Sequence, residues 1–414
     1  MSAPAALLDT LREALAFEAQ GDRVANLTTG RGTFDGRAVR VALVESRFAS
    51  GAIGAAEAER LVALLKVVAL ERSPLVIYLD SAGAKVSQGL VALGAFRTLF
   101  RAGLDAALRG APIAALLGRN CYGGSSMLAH LAPQRLFSPG TQMAMSGPAV
   151  MASASGMSAI DESFRAITEA SLSPAARART SAANAVWTPG GDLAKWLREA
   201  LAPRGAPASA LRLRHEGLAA RFEKLLPEPT WEPVRRRELE RIYASGYEAR
   251  ESQGLLEGSG GRDGTREAFI GLVGKQPLGA ARAWRFSEAV WQHAARAPAR
   301  LEVFLDCASH AARIEDEKLV LTEFIVDMSF ALAAVSAAGT RVGLTIVGQA
   351  GGGVYVALAA PADRVASVHG ADIQVLPGAA VAAILGESAT QVASFEDYRA
   401  AGVSDEEIKL GFVS

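Results

Sequence analysis

The chain has 414 residues, with 43 basic and 43 acidic side chains, so its formal net charge is zero; half of the residues are hydrophobic and 21% are charged. That balance suits a globular protein of two domains and excludes the dominant basic field that non-specific nucleic-acid binding requires. Two isolated cysteines, Cys121 and Cys307, are too few for a disulfide framework or a zinc site and read as small buried thiols.

At the N-terminus, Pro4 precedes apolar residues at helical spacing and then Arg12 and Glu13, which predicts a surface helix rather than a signal peptide. No uncharged apolar run reaches the ~20 residues of a membrane span, so a cytoplasmic chain with no membrane partner is expected. An apolar strand follows at Ala38–Val44, then a helix rich in alanine and leucine at Ala55–Leu70. A second apolar strand begins at Leu75 and ends in Leu79-Asp80, and a helix follows at Leu90–Leu108. A third strand runs from Ile113 to Gly118 into a glycine-rich turn and a short helix at Ser125–Leu131. Short strands at Gln134–Phe137 and Gln142–Met145 complete the set.

The character changes between about 151 and 264. Prolines recur over 203–233, and Gly258-Ser259-Gly260-Gly261 reads as a flexible linker by composition. The run Arg235-Arg236-Arg237-Glu238-Leu239-Glu240-Arg241 lies in a helical stretch. It reads as a solvated, salt-bridged face, or alternatively as a basic edge for a phosphorylated group or an acidic carrier protein.

The same order then recurs: strand Ala268–Val273, helix Ala280–Ala294, a strand ending in Leu305-Asp306, helix Thr322–Ala338, a strand ending at Gly348, a glycine turn, helix Val354–Ala359, and strands Arg364–Ser367 and Ile373–Leu376. Ile53-Gly54-Ala55-Ala56 matches Leu278-Gly279-Ala280-Ala281, Leu75 to Ala82 matches Leu301 to Ala308, and Ile113 to Gly118 matches Gly343 to Gly348. The offsets of 225, 226 and 230 rise slowly, as loop insertions would make them. The chain reads as two copies of one α/β domain. Short, fully apolar strands alternating with helices imply a buried, largely parallel sheet in each.

Two glycine-rich segments carry the chemistry: Gly118-Arg119-Asn120-Cys121-Tyr122-Gly123-Gly124-Ser125 and Gly348-Gln349-Ala350-Gly351-Gly352-Gly353-Val354. Each lies between a buried strand and a helix, where glycine permits positive φ and close approach of a ligand. The helix start offers unpaired N–H groups that stabilise an anion, either a phosphate or an oxyanion formed in reaction. No lysine follows the glycines, as a P-loop requires, and neither turn follows a first strand, as the dinucleotide fingerprint requires. The five histidines show no metal-ligand spacing and read as surface or packing residues, and no nucleophile elbow surrounds a serine. Backbone N–H donors suit this inventory best.

At these residues the chain resembles the carboxyltransferase branch of the crotonase superfamily. In the N-terminal copy the resemblance rests on Leu79-Asp80-Ser81-Ala82-Gly83-Ala84, Cys121-Tyr122-Gly123-Gly124 and Ser146-Gly147-Pro148-Ala149-Val150, which are similar to the β-subunit type. In the C-terminal copy it rests on Gly348-Gln349-Ala350 with the following glycines and on Ala362-Asp363-Arg364-Val365, similar to the α or γ type. Within the branch the chain is similar to biotin-independent malonate decarboxylases, with β and γ subunits fused; Val186-Trp187-Thr188-Pro189-Gly190-Gly191 is a further β-type stretch. It departs from the pattern at Lys85-Val86-Ser87-Gln88, where Arg-x-Gln-Glu is common, and at Gly352-Gly353-Val354, where Ser-Gly-Gly is usual.

The resemblance implies two crotonase-like ββα spiral domains. These would be a β-type domain over 1–195, a helical and proline-rich linker over 196–261, and an α/γ-type domain over 262–414. The site would lie between an N-type and a C-type domain, often across a homodimer. The implied reaction is loss of CO2 from a malonyl-type thioester carried on the phosphopantetheine of an acyl carrier protein or coenzyme A. Gly123 and Gly124 would hold the thioester oxygen as it becomes an enolate, and Gly352 and Gly353 would face the carboxylate. Ser81, Ala82, Gly83, Tyr122, Gly147 and Gly351 would bind substrate. No metal and no biotin are expected, there being neither a zinc ribbon nor a Met-Lys-Met biotinylation site. Three alternatives stay open: a biotin-dependent acyl carboxyltransferase, an enoyl-thioester hydratase or isomerase with positioned glutamates, and an inactive subunit or scaffold.

Overall fold

The computed structural model describes residues 2–157, 160–203, 207–222, 226–262, 264–296, 298–386 and 393–409. The first unit opens with α1 (Ala3–Ala14), β1 (Glu18–Ala19), β2 (Leu27–Phe34), β3 (Arg37–Val44), α2 (Ala55–Glu71), β4 (Leu75–Ser81) and α3 (Leu90–Leu108). It continues with β5 (Ile113–Tyr122), α4 (Gly124–Ala129), β6 (Gln134–Phe137), β7 (Gln142–Ala144), α5 (Pro148–Ala154), α6 (Glu162–Leu172), α7 (Pro174–Thr180), β8 (Asn184–Val186) and α8 (Leu193–Ala200). A connecting region holds α9 (Pro207–Ala219), β9 (Glu232–Pro233) and α10 (Arg237–Ile242).

The second unit has β10 (Tyr247–Ser252), β11 (Leu255–Arg262), β12 (Thr265–Leu272), α11 (Ala280–Ala294), β13 (Arg300–Cys307), α12 (Ile314–Lys318) and α13 (Leu321–Ala337). It closes with β14 (Arg341–Gly351), α14 (Gly352–Ala359), β15 (Arg364–Val368), β16 (Asp372–Gln374), α15 (Gly378–Leu385), α16 (Phe395–Ala400) and β17 (Glu406–Ile408).

The two sheets repeat one topology. In the first, β2 pairs antiparallel with β3, and β3, β4, β5, β6 and β8 run parallel in that order. In the second, β11 pairs antiparallel with β12, and β12, β13, β14, β15 and β17 run parallel. The duplication extends to irregularities: the β4–β5 register shifts between Leu79 and Ser81, and the β13–β14 register shifts between Leu305 and Cys307. Past that shift β5 leaves β6 and pairs with β7, as β14 leaves β15 and pairs with β16. The recurring aspartate has a recurring task. Asp80 accepts from the Asn120 N–H at 3.0 Å and Asp306 accepts from the Gln349 N–H at 2.9 Å, each holding the displaced strand end.

One core spans both units. Leu93, Phe96, Leu99 and Phe100 of α3 pack in the same buried cluster as Phe324, Val354, Tyr355 and Leu358 of α13 and α14. Arg97 fastens the units, pairing with both oxygens of Asp405 at 2.9 and 2.8 Å and donating to the Gly402 carbonyl. Helix α1 is not merely a surface element. Leu7, Leu8 and Leu11 lie in a second cluster with Val41, Val76 and Leu116, on the far face of the first sheet.

The composition misleads at Gly258-Ser259-Gly260-Gly261. These residues are interior to β11, in register with Arg266 to Phe269 of β12. Glycine stands there because rings cover the strand: a Cβ at Gly258 would strike Phe269 and one at Gly260 would strike Tyr243, whose rings stack 5.3 Å apart. The second sheet therefore begins before 262, inside the stretch read as linker. Nearby, Arg236 pairs with Glu251 at 2.6 Å and Arg235 lies 5.5 Å from the Tyr247 ring, which fits a salt-bridged face better than a docking edge.

Candidate active site

Both glycine segments are tighter than turns. Strand β5 runs unbroken to Tyr122 and α4 begins at Gly124, so Gly123 alone makes the junction, with φ of 52°. Gly352, directly after β14 and first in α14, makes the equivalent junction, with φ of 54°. A side chain at such φ costs about 1–2 kcal/mol, so glycine is the residue this geometry selects. The next residue in each case, Gly124 at the first position of α4 or Gly353 at the second of α14, carries an N–H with no intrahelical acceptor.

The two junctions line one cavity of about 90 Å³, within a single chain. Both units of the one chain line it, where the resemblance implies a site between two domain types, often across a homodimer. Ala82, Tyr122, Gly123, Gly124 and Gly147 line it from the first unit and Gly352 and Gly353 from the second. Ser81, Gly83 and Gly351 stand behind the wall. Ser81 is fully buried and its hydroxyl accepts from the Gly83 N–H at 3.1 Å and lies 2.6 Å from the Ser125 hydroxyl, so it shapes the 82–84 turn. Gly351 is packed against the Ala308 and Gln374 carbonyls.

The 82–84 turn brings a second donor to the first junction. An ideal Cβ on Gly83 would lie 3.3 Å from the Gly124 nitrogen. The neighbouring N–H groups of Gly83 and Lys85 are taken by Ser81 and Ile53, whereas that of Ala84 meets no acceptor among the described residues. The second unit repeats this arrangement with His310 in the place of Ala84: Ala84 bridges Ile53, and His310 bridges Leu278.

His310 and Ser146 are the residues that sequence reasoning missed. His310 lines the cavity with its Nε2 2.9 Å from the Ser146 hydroxyl and its Nδ1 3.2 Å from that of Ser309. Burial pushes its imidazole down to about 4, so it is neutral at pH 7. The signal was in the repeat. Extending the match of Leu75–Ala82 with Leu301–Ala308 by two residues sets His310 opposite Ala84, in the turn beside the glycine junction.

Met145 and Ser146 are positioned from beneath. Glu317 is fully buried and its carboxylate accepts from the Met145 N–H at 3.2 Å and the Ser146 N–H at 2.9 Å. Burial raises this carboxyl to about 7, opposed by the Arg177 guanidinium and the two amides. Arg177 is held in turn by the Met143 and Glu317 carbonyls. Apart from Ser146, His310 and Tyr122, the wall is apolar or glycine, with Phe96, Met127, Met145, Val356 and Leu376 prominent. No Lys, Arg, Asp or Glu among the described residues faces it. The glutamate that a hydratase would need there is not among the lining residues, since Glu317 spends both oxygens on backbone amides.

No helix among the described residues is long and apolar enough to cross a membrane. Residues 11–168 match the family model described as carboxyl transferase domain. Among curated proteins, the chain is 28% identical over 131 residues to the methylmalonyl-CoA carboxyltransferase 12S subunit of Propionibacterium freudenreichii subsp. shermanii, a match covering 31% of this chain and 25% of that protein. It is 29% identical over 143 residues to the acetyl-coenzyme A carboxylase carboxyl transferase subunit beta of Synechococcus sp. (strain JA-3-3Ab), covering 33% of this chain and 44% of that one. The matches thus span less than half the length of these curated relatives. Among solved structures, a chain of a Pseudomonas malonate decarboxylase hetero-tetramer in complex with malonate is 20% identical, covering 52% of this chain and 89% of that one, with a TM-score of 0.43. A transcarboxylase 12S structure is 17% identical, covering 97% and 86%, with a TM-score of 0.38. Residues 11–168 thus match the carboxyl transferase domain model, within a fold of two duplicated α/β units.

Proposed function

We propose that the cavity between the two glycine junctions handles the carboxyl group of an acyl thioester, and that its reaction is decarboxylation of a malonyl-type thioester through an enolate. The observation that carries this reading is that Gly124 and Gly353, each in the first turn of a helix, line the same small cavity with no charged side chain among its lining residues. The thioester oxygen would accept from Gly124 and Ala84, while the carboxylate faces Gly353 and the neutral His310. In an uncharged, largely apolar cavity a localised carboxylate is poorly solvated. Losing CO2 moves the charge onto a thioester oxygen that meets preplaced donors, each worth about 10²–10³ in rate. The hydroxyl and imidazole of Ser146 and His310 are the groups available to pass a proton to the carbanion. Coenzyme A or a carrier-bound phosphopantetheine would bring the acyl group in, and biotin has no part in this scheme.

A second reading is favoured by the curated relatives, which are named as carboxyl transferases: the junction at Gly352 and Gly353 would take the ureido oxygen of biotin supplied on another chain. The test is CO2 release from malonyl-CoA and methylmalonyl-CoA by the purified chain, with and without free biotin. Turnover without biotin supports decarboxylation. Exchange that requires biotin selects the second reading, and no turnover under either condition sinks both.

A further inference from the structure

The two units part company just after the donor turn. Gln88 and Asp316 are counterparts: Gln88 Oε1 accepts from the Ala55 N–H at 2.9 Å and Asp316 Oδ1 from the Ala280 N–H at 2.8 Å, each at the first residue of a helix. In the first unit Gly89 follows at once, with φ of 52°, and α3 starts. In the second unit Glu317, Lys318 and Leu319 intervene, and the left-handed place before α13 falls to Val320, with φ of 65°. A β-branched residue is strained there, and such strain persists only where the surroundings over-determine it. Glu317 is thus an addition to the repeat, which the first copy does without.

This added side chain is fully buried and reaches into the other unit. Its carboxylate meets only donors among the described contacts: the Met145 and Ser146 amides and, 3.8 Å away, the Arg177 guanidinium. The segment it grips touches both sides of the cavity. The Ala144 carbonyl accepts from the Gly123 N–H at 3.1 Å, the Ser146 hydroxyl lies 2.9 Å from His310, and the Met145 methyl fills the space a side chain at Gly353 would need. A carboxylic acid at Glu317 would set an O–H against donors, leaving one amide without its acceptor.

The other charged and titratable groups around Glu317 are engaged or neutral. Asp316 serves Arg313 and the Ala280 amide, and Arg221 serves Glu323 and the Leu319 carbonyl. Burial keeps the Tyr122 phenol protonated and the His310 ring neutral. Helix α6 packs Phe164 and Leu172 here and leaves Glu162, Arg165 and Glu169 exposed.

We propose that Glu317 is a positioning residue for the glycine cavity: as a carboxylate it holds residues 144–147 so that Ser146 meets His310 and Ala144 meets Gly123, and on protonation it releases them. Its effect on turnover rests on the reaction proposed above; its effect on His310 does not.

The test follows the imidazole nuclear magnetic resonance signals of the full chain, labelled in histidine, from pH 6 to pH 8, with His310→Gln identifying those of His310. In the parent they shift with a midpoint near 7 while the ring stays neutral; in Glu317→Gln, which has no proton to gain, they do not move. For malonyl-CoA, kcat/KM of the parent falls about tenfold from pH 8 to pH 6 as the carboxylate is lost. Glu317→Gln, left with one acceptor oxygen, lies about tenfold below the parent at pH 8 and is flat across the range. Absence of turnover in the parent sinks the reaction alone, and the histidine signals then decide. If Glu317→Gln does not melt cooperatively, the parent titration decides. The proposal is overturned if the parent's His310 signals stay fixed from pH 6 to pH 8, if they shift alike in Glu317→Gln, or if a folded Glu317→Gln keeps the parent's pH profile.

Discussion

Ser146 and His310 lie 164 residues apart in the chain and 2.9 Å apart in the fold, hydroxyl to Nε2, in the wall between the two glycine junctions. With Ser309 at its other nitrogen, the ring is oriented from both sides, and its neutrality leaves one N–H to donate and one nitrogen to accept. His310→Ala should therefore lower kcat/KM for the thioester by about 10²-fold, the worth of one placed donor, and His310→Gln should recover part of it. Stability gives an independent reading. The folded ring resists protonation down to about 4, whereas the unfolded ring protonates near 6.5, so its contribution is present above 6.5 and lost as pH falls towards 4. His310→Gln should flatten the melting temperature over that acid range; an unchanged acid limb would show that the ring is not buried neutral.

The two first-turn glycines, Gly124 and Gly353, should respond differently to alanine. At Gly353 the added methyl meets the terminal methyl of Met145, a flexible end that can move, so the N–H and the fold survive while the cavity shrinks. At Gly124 the methyl meets the ring of Phe96, fixed in the core between the units. Gly353→Ala is expected to cut kcat/KM by about tenfold or more with a small change in melting temperature, whereas Gly124→Ala should lower both. Equal losses of stability in the two would contradict the packing described.

Much of the fold was legible because its signals are local and repeated. The helix at Leu90–Leu108 and the strand at Gln134–Phe137 occupy the residues their patterns indicate, and the matched segments led to two sheets of one strand order. What failed was reading glycine by composition. In Gly258–Gly261 the absent side chains admit the rings of Tyr243 and Phe269, a long-range fact that no local window contains. The glycine junctions stood out through their duplication, but His310 did not. A lone histidine carries no spacing signal, and its partner Ser146 comes from the other unit. Glu317 was hidden likewise: distant in sequence from Gly124, it sets the Met145–Ser146 backbone through the fold.

Cys121 sits two residues before the first junction residue Gly123, so a thiol nucleophile is the natural rival to backbone catalysis. It is fully buried, and burial, with Asp80 adding to it, pushes the thiol far above its ordinary range, so no thiolate forms near neutral pH. Cys121→Ala should cost about 1–2 kcal/mol of stability from the small cavity it leaves and should leave kcat near the parent value. Loss of all turnover in a folded Cys121→Ala protein would replace the oxyanion account with covalent catalysis.

Because both glycine junctions meet in one cavity of a single chain, turnover should not require a second copy. Specific activity measured down a dilution series, with light scattering on the same samples, should stay constant through any dissociation of a dimer. Activity that vanishes as a dimer dissociates would mean that a partner supplies something this cavity lacks.

The last expectation concerns α9, the helix that joins the units. His215 on it is fully buried with Nδ1 2.7 Å from Asp327 and Nε2 2.8 Å from Glu288, and its ring stacks on Trp284 at 5.4 Å. Burial works against the charged ring, but the hydrogen bonds and charges of Asp327 and Glu288 outweigh it, so the imidazole is held above its ordinary value. Both nitrogens face carboxylates, and only the imidazolium can donate to both. Arg212 lies 3.4 Å from Glu288 and does not reach Asp327 among the described contacts. A raised value fixes the sign: the stabilisation is complete below about 6.5 and is lost as pH rises through the folded value. His215→Gln, able to donate from one side only, should cost about 3 kcal/mol at pH 6, the scale of breaking a buried pair. The gap in melting temperature between parent and variant should then narrow steadily towards pH 9, as the parent ring loses its second proton beside two carboxylates. A gap that stays constant from pH 6 to pH 9 would mean that His215 is neutral in the fold and that α9 is held by packing alone.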